Sequence, residues 1–174
     1  MEKKSQIGSR KGFTLIEILI VVAIIGILAS VVLVGLRPAQ RLGRDARRLS
    51  DLRQIQVVLE LYFNKCGFYP GGFDCTDTIV QPNWTGLRDA LTNAGLGVTK
   101  LPSDPLNNST YYYRYGASPS SRPTNYVLGA QLEDANNPAL RDDVDSLSAG
   151  GNIFGVDCGF GNPETPSPIY CLQL

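Results

Sequence analysis

The chain has 174 residues, of which 43% are apolar, and no formal net charge at pH 7, which suits one folded domain with accessory segments. It contains no histidine, so histidine-based triads, histidine general bases and histidine-ligated metals are excluded, and an enzyme is not expected. The zero net charge hides four segments: residues 1–12 balance at +3, residues 13–36 at −1, residues 37–65 at +4 and residues 66–174 at −6.

A long apolar stretch follows the basic first twelve residues. From Phe13 to Leu36 the sequence reads FTLIEILIVVAIIGILASVVLVGL. An α-helix of that length would extend roughly 36 Å, enough to cross a hydrocarbon core of about 30 Å. A secretory signal peptide has a shorter apolar region, and its cleavage site follows that region. The stretch is therefore predicted to be retained as a transmembrane helix, in the simplest interpretation a plain single-pass anchor.

Glu17 is the only charged residue in this stretch. A carboxylate within a membrane helix costs about 2.5–3.5 kcal/mol on insertion scales, so it requires a partner or a function. Cleavage after Gly12 would create an α-amino group on Phe13. That cation would neutralise Glu17 either within one chain or between neighbouring copies, and only the second pairing would set the stagger between copies.

Residues 11–17 follow a short basic leader and read KGFTLIE. This string resembles the class III signal of type IV pilins and type II secretion pseudopilins. The resemblance implies that a prepilin peptidase cleaves between Gly12 and Phe13 and methylates the new N-terminus at Phe13. It also implies that Glu17 docks onto the N-terminus of a neighbouring subunit. Many family members have a helix-kinking proline late in the apolar stretch, whereas here Pro38 comes only after it.

The implied function is that of a structural subunit of a type IV pilus or a type II secretion pseudopilus, polymerised with itself or in a mixed filament through the N-terminal helix. An inner-membrane assembly platform is an implied partner. The chain would reside in the inner membrane as a single-pass protein before assembly, and then in an extracytoplasmic filament or at the cell surface. The alternative from another class is an uncleaved, single-pass membrane-anchored extracytoplasmic binding module, which would keep its leader.

An amphipathic helix is predicted to continue through residues 37–65 into the head. Its apolar residues recur at steps of three and four: Leu42, Ala46, Leu49, Leu52, Ile55, Leu59 and Tyr62. The opposite face would carry Arg44, Arg47, Arg48, Asp51 and Gln54. We expect the apolar stripe to pack on the head and the arginine-rich face to be solvated. The alternative for the arginines is contact with anionic headgroups or with acidic surfaces of neighbouring subunits.

Residues 66–174 are predicted to form an extracytoplasmic head. Asn83 or Thr85 would cap a short helix that runs to Ala94 and ends at Gly95. Four stretches are predicted as strands, the last two more weakly: 111–115, 125–132, 152–156 and 169–174. The predicted fold class is α+β, a long N-terminal helix packed on a small antiparallel sheet, which is also what the resemblance implies.

The four cysteines are even in number and form no CxxC motif, which predicts two disulfides in an oxidising compartment. Of three possible connectivities, Cys66 with Cys75 and Cys158 with Cys171 is preferred, because both close short loops; the other two stay open. Disulfides would also place the head outside the cytoplasm. The loop between the last two cysteines would resemble the disulfide-bounded loop of many pilins and is a candidate contact with a subunit or receptor.

Asp142, Asp143 and Asp145 would offer oxygen ligands to calcium. The resemblance adds weight, since major pseudopilins carry calcium in the head, but the spacing is not that of an EF-hand loop. No other cofactor is expected. Direct binding of nucleic acid is not expected either, because a head with a balance of −6 repels a phosphate backbone.

Overall fold

The computed structural model describes residues 12–144, 151–159 and 168–174. It separates into two compact units, Met1–Gln40 and Arg41–Leu174. Within the described residues the helices are α1 (Leu15–Cys66) and α2 (Trp84–Asn93), with a short 3-10 helix at Pro138–Arg141. The strands, in chain order, are β1 (Tyr113–Ala117), β2 (Tyr126–Gln131), β3 (Asn152–Ile153), β4 (Val156–Asp157) and β5 (Ile169–Gln173).

Helix α1 covers both of the helical segments that the sequence predicts, and Pro38 lies inside it without ending it. In the first unit, the large apolar side chains from Phe13 to Leu28 are each more than half exposed. No helix among the described residues meets the combined length and hydropathy requirement for a membrane span.

In the second unit, β1, β2 and β5 form an antiparallel sheet with β2 in the centre. Tyr126, Leu128 and Ala130 of β2 belong to the main core, together with α1 and α2. Val127 packs on the other face of the sheet against Val156. Successive residues of a strand point to opposite faces of the sheet. Both faces of β2 are covered, so every residue of this strand is buried. The α+β architecture predicted from the sequence is confirmed.

The main core is built on the second half of the predicted helical stripe. Four residues of α1 have almost no exposed surface: Leu52, Ile55, Leu59 and Tyr62. They pack with Leu87 and Leu91 of α2 and with the inner face of the sheet. The upstream half of the stripe is different, since Leu42 is 53% exposed and Ala46 is also exposed. The predicted burial of these two residues is wrong.

Helix α2 begins and ends as the sequence predicts. The Asn83 side chain accepts a hydrogen bond from the backbone N–H of Gly86 at 2.9 Å, which caps the helix. Gly95 follows the last turn with φ +64°, a conformation that favours glycine. One predicted strand is wrong: residues 152–156 form a tight hairpin, β3–β4. Phe154 and Gly155 have positive φ values of 49° and 88°, so the chain reverses there.

Both preferred disulfides are present. Cys66 and Cys75 are joined with a Cα–Cα distance of 5.3 Å, and Cys158 and Cys171 with one of 5.9 Å. Cys158 follows the β3–β4 hairpin and Cys171 lies in β5, so the second disulfide fastens the hairpin to the sheet. Most of the loop between these cysteines, residues 160–167, lies outside the described residues.

Candidate functional site

The site predicted from the sequence lies at the start of α1. Glu17 Oε2 accepts hydrogen bonds from the backbone N–H of Thr14 at 2.8 Å and from its hydroxyl at 2.7 Å. The Thr14 hydroxyl oxygen in turn accepts a bond from the Glu17 backbone N–H at 3.3 Å. This reciprocal arrangement is a capping box, which satisfies N–H groups that a helix start leaves without partners. The Thr-x-x-Glu spacing predicts it, a signal that the sequence interpretation did not use.

The predicted cleavage bond is open to solvent. Phe13 is 84% exposed, and an added Cβ at Gly12 would meet no heavy atom within 4 Å. The leader residues 1–11 lie outside the described residues. Gly12, Phe13 and Glu17 therefore lie together at one exposed helix start, surrounded by apolar side chains such as that of Ile16, 65% exposed.

The second unit contains a buried group of charged side chains that the sequence analysis did not anticipate. Arg48 has no exposed surface. Its guanidinium donates two hydrogen bonds to Asp104, from Nε at 2.7 Å and from Nη2 at 3.1 Å. Nη1 donates to Asp45 at 2.7 Å and to Glu133 at 2.9 Å. One arginine of α1 thus joins carboxylates from the helix and from two distant loops.

Further contacts extend this group. The Asp45 carboxylate accepts the backbone N–H groups of Glu133 and Asp134, each at 3.0 Å. Arg44 forms a two-point pair with Glu133, with both N–O distances 2.6 Å. The ring of Tyr111 lies 4.7 Å from the guanidinium carbon of Arg48. We call Arg44, Asp45, Arg48, Asp104 and Glu133 the Arg48 cluster.

The charges of this cluster stabilise one another. Hydrogen bonds from Arg44, and then those from Arg48, lower the pKa of Glu133 to about 2, against the opposing effect of burial. Burial alone would raise the pKa of Asp104, but bonds from Arg48 and from the backbone of Leu106 outweigh it and lower that pKa. Burial would likewise lower the pKa of Arg48, and its three carboxylate partners raise it instead. These groups are therefore charged at neutral pH.

The prediction that the arginine-rich face of the helix is solvated is wrong for part of that face. Arg47 is exposed as predicted, but Arg48 is fully buried and Arg44 is half-buried. Asp51 is 7% exposed and accepts a hydrogen bond from the Tyr113 hydroxyl at 2.7 Å. A buried charge is tolerated only when partners replace its water shell, and here distant loops provide them.

The same contacts explain why Leu42 and Ala46 are exposed. Upstream of Leu49, α1 turns the face carrying Asp45 and Arg48 towards the rest of the unit. Polar pairing therefore takes the place of apolar packing in this part of the helix, and the apolar side chains on its other faces are left at the surface.

The predicted calcium ligands do not form a cluster within the described residues. Asp142 is exposed and Asp143 is half-buried, while Asp145 lies outside the described residues. No group of three histidine, cysteine, aspartate or glutamate side chains in the described part of the chain is arranged to hold a metal ion. Calcium binding therefore stays a prediction.

Comparison with known proteins places these features in context. A family model described as the prokaryotic N-terminal methylation motif matches residues 7–33. The chain is 33% identical over 140 residues to type II secretion system core protein G of Pseudomonas aeruginosa, an alignment that covers 79% of this chain and 92% of that protein. For the protein of the same name in Escherichia coli K12 the identity is 30% over 100 residues, covering 57% and 68%. No solved structure matches the chain.

Proposed function

The chain belongs to the family of type II secretion system core protein G, and we propose that its N-terminal residues assemble it, as a structural subunit, into a pseudopilus. It is not an enzyme. The precursor is cleaved between Gly12 and Phe13, Phe13 is methylated, and Glu17 then docks onto the N-terminus of a neighbouring subunit. A prepilin peptidase and an inner-membrane assembly platform are the partners in these steps.

One observation carries the proposal: a single carboxylate stands among exposed apolar side chains at the start of α1. Both hydrogen bonds that Thr14 donates end on Oε2 of Glu17. A carboxylate has a second oxygen and further lone pairs, so Glu17 can cap its own helix and still accept a cation. Cleavage after Gly12 creates that cation on Phe13.

The exposed apolar side chains suggest where the helix resides. Leu15, Ile16 and Leu19 are 82%, 65% and 61% exposed. An apolar surface of this extent is stable only when another apolar phase or surface covers it. We propose that lipid of the inner membrane covers it before assembly, as a single-pass anchor, and that the helices of other subunits cover it in the filament.

The test is the intact mass of the protein recovered from a host that has an active prepilin peptidase. The expected species runs from Phe13 to Leu174 with one added methyl group and with the mass losses of two disulfides. Gly12→Val, which places a branched side chain beside the scissile bond, is the matched control and should remain uncleaved. A wild-type chain that still begins at Met1 would overturn the cleavage proposal and favour the uncleaved anchored binding module.

A further inference from the structure

A cavity of about 520 Å³ opens on the surface of the second unit. It lies between the start of α2, strand β1 and the β3–β4 hairpin, and its volume is in the range of small-ligand sites. The side chains that bear on its chemistry are those of Trp84, Tyr112, Arg114, Gln131, Asn152 and Asp157. None of them takes part in cleavage, methylation or docking as proposed above.

Arg114 has an unmet hydrogen-bonding requirement beside this cavity. Its guanidinium carbon lies 4.2 Å from the ring centroid of Tyr112, and Nη2 makes a long bond of 3.4 Å to Gln131. Nη1 is buried and has no hydrogen-bond partner among the described residues. A buried charged donor without an acceptor is costly. Arg114 also lines the cavity, so an acceptor atom on a bound molecule that reached its guanidinium would lower that cost.

The charges around the cavity select against ionic ligands. Asp157, on the hairpin, lines the same cavity as Arg114 and carries the opposite charge. Its Oδ1 accepts the backbone N–H of Gly159 at 3.1 Å, and a carboxylate has further acceptor positions. An anion drawn to Arg114 would be repelled by Asp157. A cation drawn to Asp157 would be repelled by Arg114. A neutral molecule with several hydroxyl groups satisfies both, since each hydroxyl accepts and donates.

Two aromatic side chains provide apolar contact area beside these polar groups. Trp84 is half-buried and packs edge-on against the buried Tyr113, with ring centroids 5.4 Å apart, which fixes its orientation. Tyr112 is 41% exposed. Aromatic rings with a polar tip bind ligands that are apolar on one side and hydrated on the other.

We propose that this cavity binds a neutral saccharide unit. The C–H face of a pyranose ring packs on Trp84 or Tyr112, while its hydroxyls accept from Arg114 and donate to Asp157. The exposed amide of Asn152 can donate to one hydroxyl and accept from another. The described residues that line the cavity all belong to the second unit.

Trp84 is the only tryptophan of the chain and lines the cavity, so its fluorescence responds to a molecule bound there. The mature full-length protein is kept in a detergent without a sugar headgroup and titrated with glucose, galactose, mannose and N-acetylglucosamine. We expect a saturable change with a Kd in the millimolar range, roughly 1–10 mM, for at least one of them. Acetate and choline are titrated in parallel at matched ionic strength, to represent anionic and cationic ligands.

Arg114→Met and Asn152→Ala are each expected to weaken binding about tenfold, the cost of losing one good hydrogen bond in a partly dry site. Arg88→Met, on the exposed face of α2 and outside the cavity, should leave the Kd unchanged. Asn152 is exposed, so its truncation tests the site even if the Arg114 variant does not fold, as judged by circular dichroism. The proposal is overturned by no saturable response to any sugar, by a stronger response to acetate or choline, or by an unchanged Kd in a folded Asn152→Ala variant.

Discussion

Glu17 and Arg48 are charged residues of the same helix, yet their surroundings are opposite. Glu17 lies at an exposed helix start, bonded to Thr14 and surrounded by apolar side chains that face solvent. Arg48 is fully buried and bonded to three carboxylates. Around Arg48 the chain therefore meets the requirements of its charged groups internally. In the first unit it leaves both a charge and an apolar surface for other molecules to cover, which is what a polymerising segment requires.

The largest expected effect on the head is that of Arg48→Met. Removing the guanidinium leaves Asp45, Asp104 and Glu133 close together without their shared cation, which should lower the free energy of unfolding by about 3–5 kcal/mol. Urea unfolding followed by Trp84 fluorescence measures it. Arg47→Met is the matched control one residue away: Arg47 is 62% exposed, so a change within about 0.5 kcal/mol is expected. Equal losses of unfolding free energy in the two variants would contradict the contrast between the buried and the exposed arginine.

Replacing Cys158 and Cys171 together by alanine should cost the head about 2–4 kcal/mol, since this disulfide closes a loop with a sequence separation of 13 and fastens the hairpin to the sheet. The Cys66–Cys75 pair has a separation of 9, so the corresponding double variant should lose slightly less, by a few tenths of a kcal/mol. Thermal unfolding of both double variants compares them. A loss confined to the Cys66–Cys75 variant would show that the hairpin contributes little to the stability of the sheet.

Acid should weaken the Arg48 cluster by a smaller amount. The pKa of Glu133 is about 2 in the folded chain, against an ordinary value of 4.5. A depressed pKa contributes stability that is present above about pH 4.5 and is lost as the pH falls towards 2, because the unfolded chain then binds the proton more tightly. The pKa of Asp104 is lowered too and acts in the same direction. Unfolding midpoints between pH 6 and pH 2.5 should therefore fall, and Glu133→Gln should flatten that fall.

The smallest effect on head stability is expected for Glu17→Gln, which lies in the first unit. Glutamine still accepts the two bonds from Thr14 but carries no charge. Cleavage and head unfolding should be unchanged, while incorporation into filaments should fall at least about tenfold, because the amino group of a neighbouring subunit would be left unpaired in apolar surroundings. Filaments sheared from cells that make the assembly machinery are quantified.

Thr14→Ala is the control for Glu17→Gln, since it removes the hydroxyl of the capping box and keeps the carboxylate. Its incorporation should stay near that of the wild type. Normal filaments from Glu17→Gln would sink the docking proposal, and equal losses in both variants would mean that helix capping, and not charge pairing, is what assembly needs.

Local signals predicted much of this molecule. The Asn83 cap and Gly95 bounded α2, period-2 alternation located β2, and short sequence separation favoured the disulfides that the structure contains. Each of these features depends on residues near one another in the chain. The hairpin at residues 152–156 was missed because a short apolar run containing a glycine fits a strand as well as a turn.

The sequence by itself determined the chemistry of the helix start. Glu17, Gly12 and Phe13 lie within six residues of one another, so the chain keeps them close whatever the head does. The burial of Arg48 was decided only by the tertiary structure, because its partners Asp104 and Glu133 lie 56 and 85 residues away. A helical pattern places apolar and charged residues on faces, but whether a charged face meets water or carboxylates depends on which distant loops fold against it.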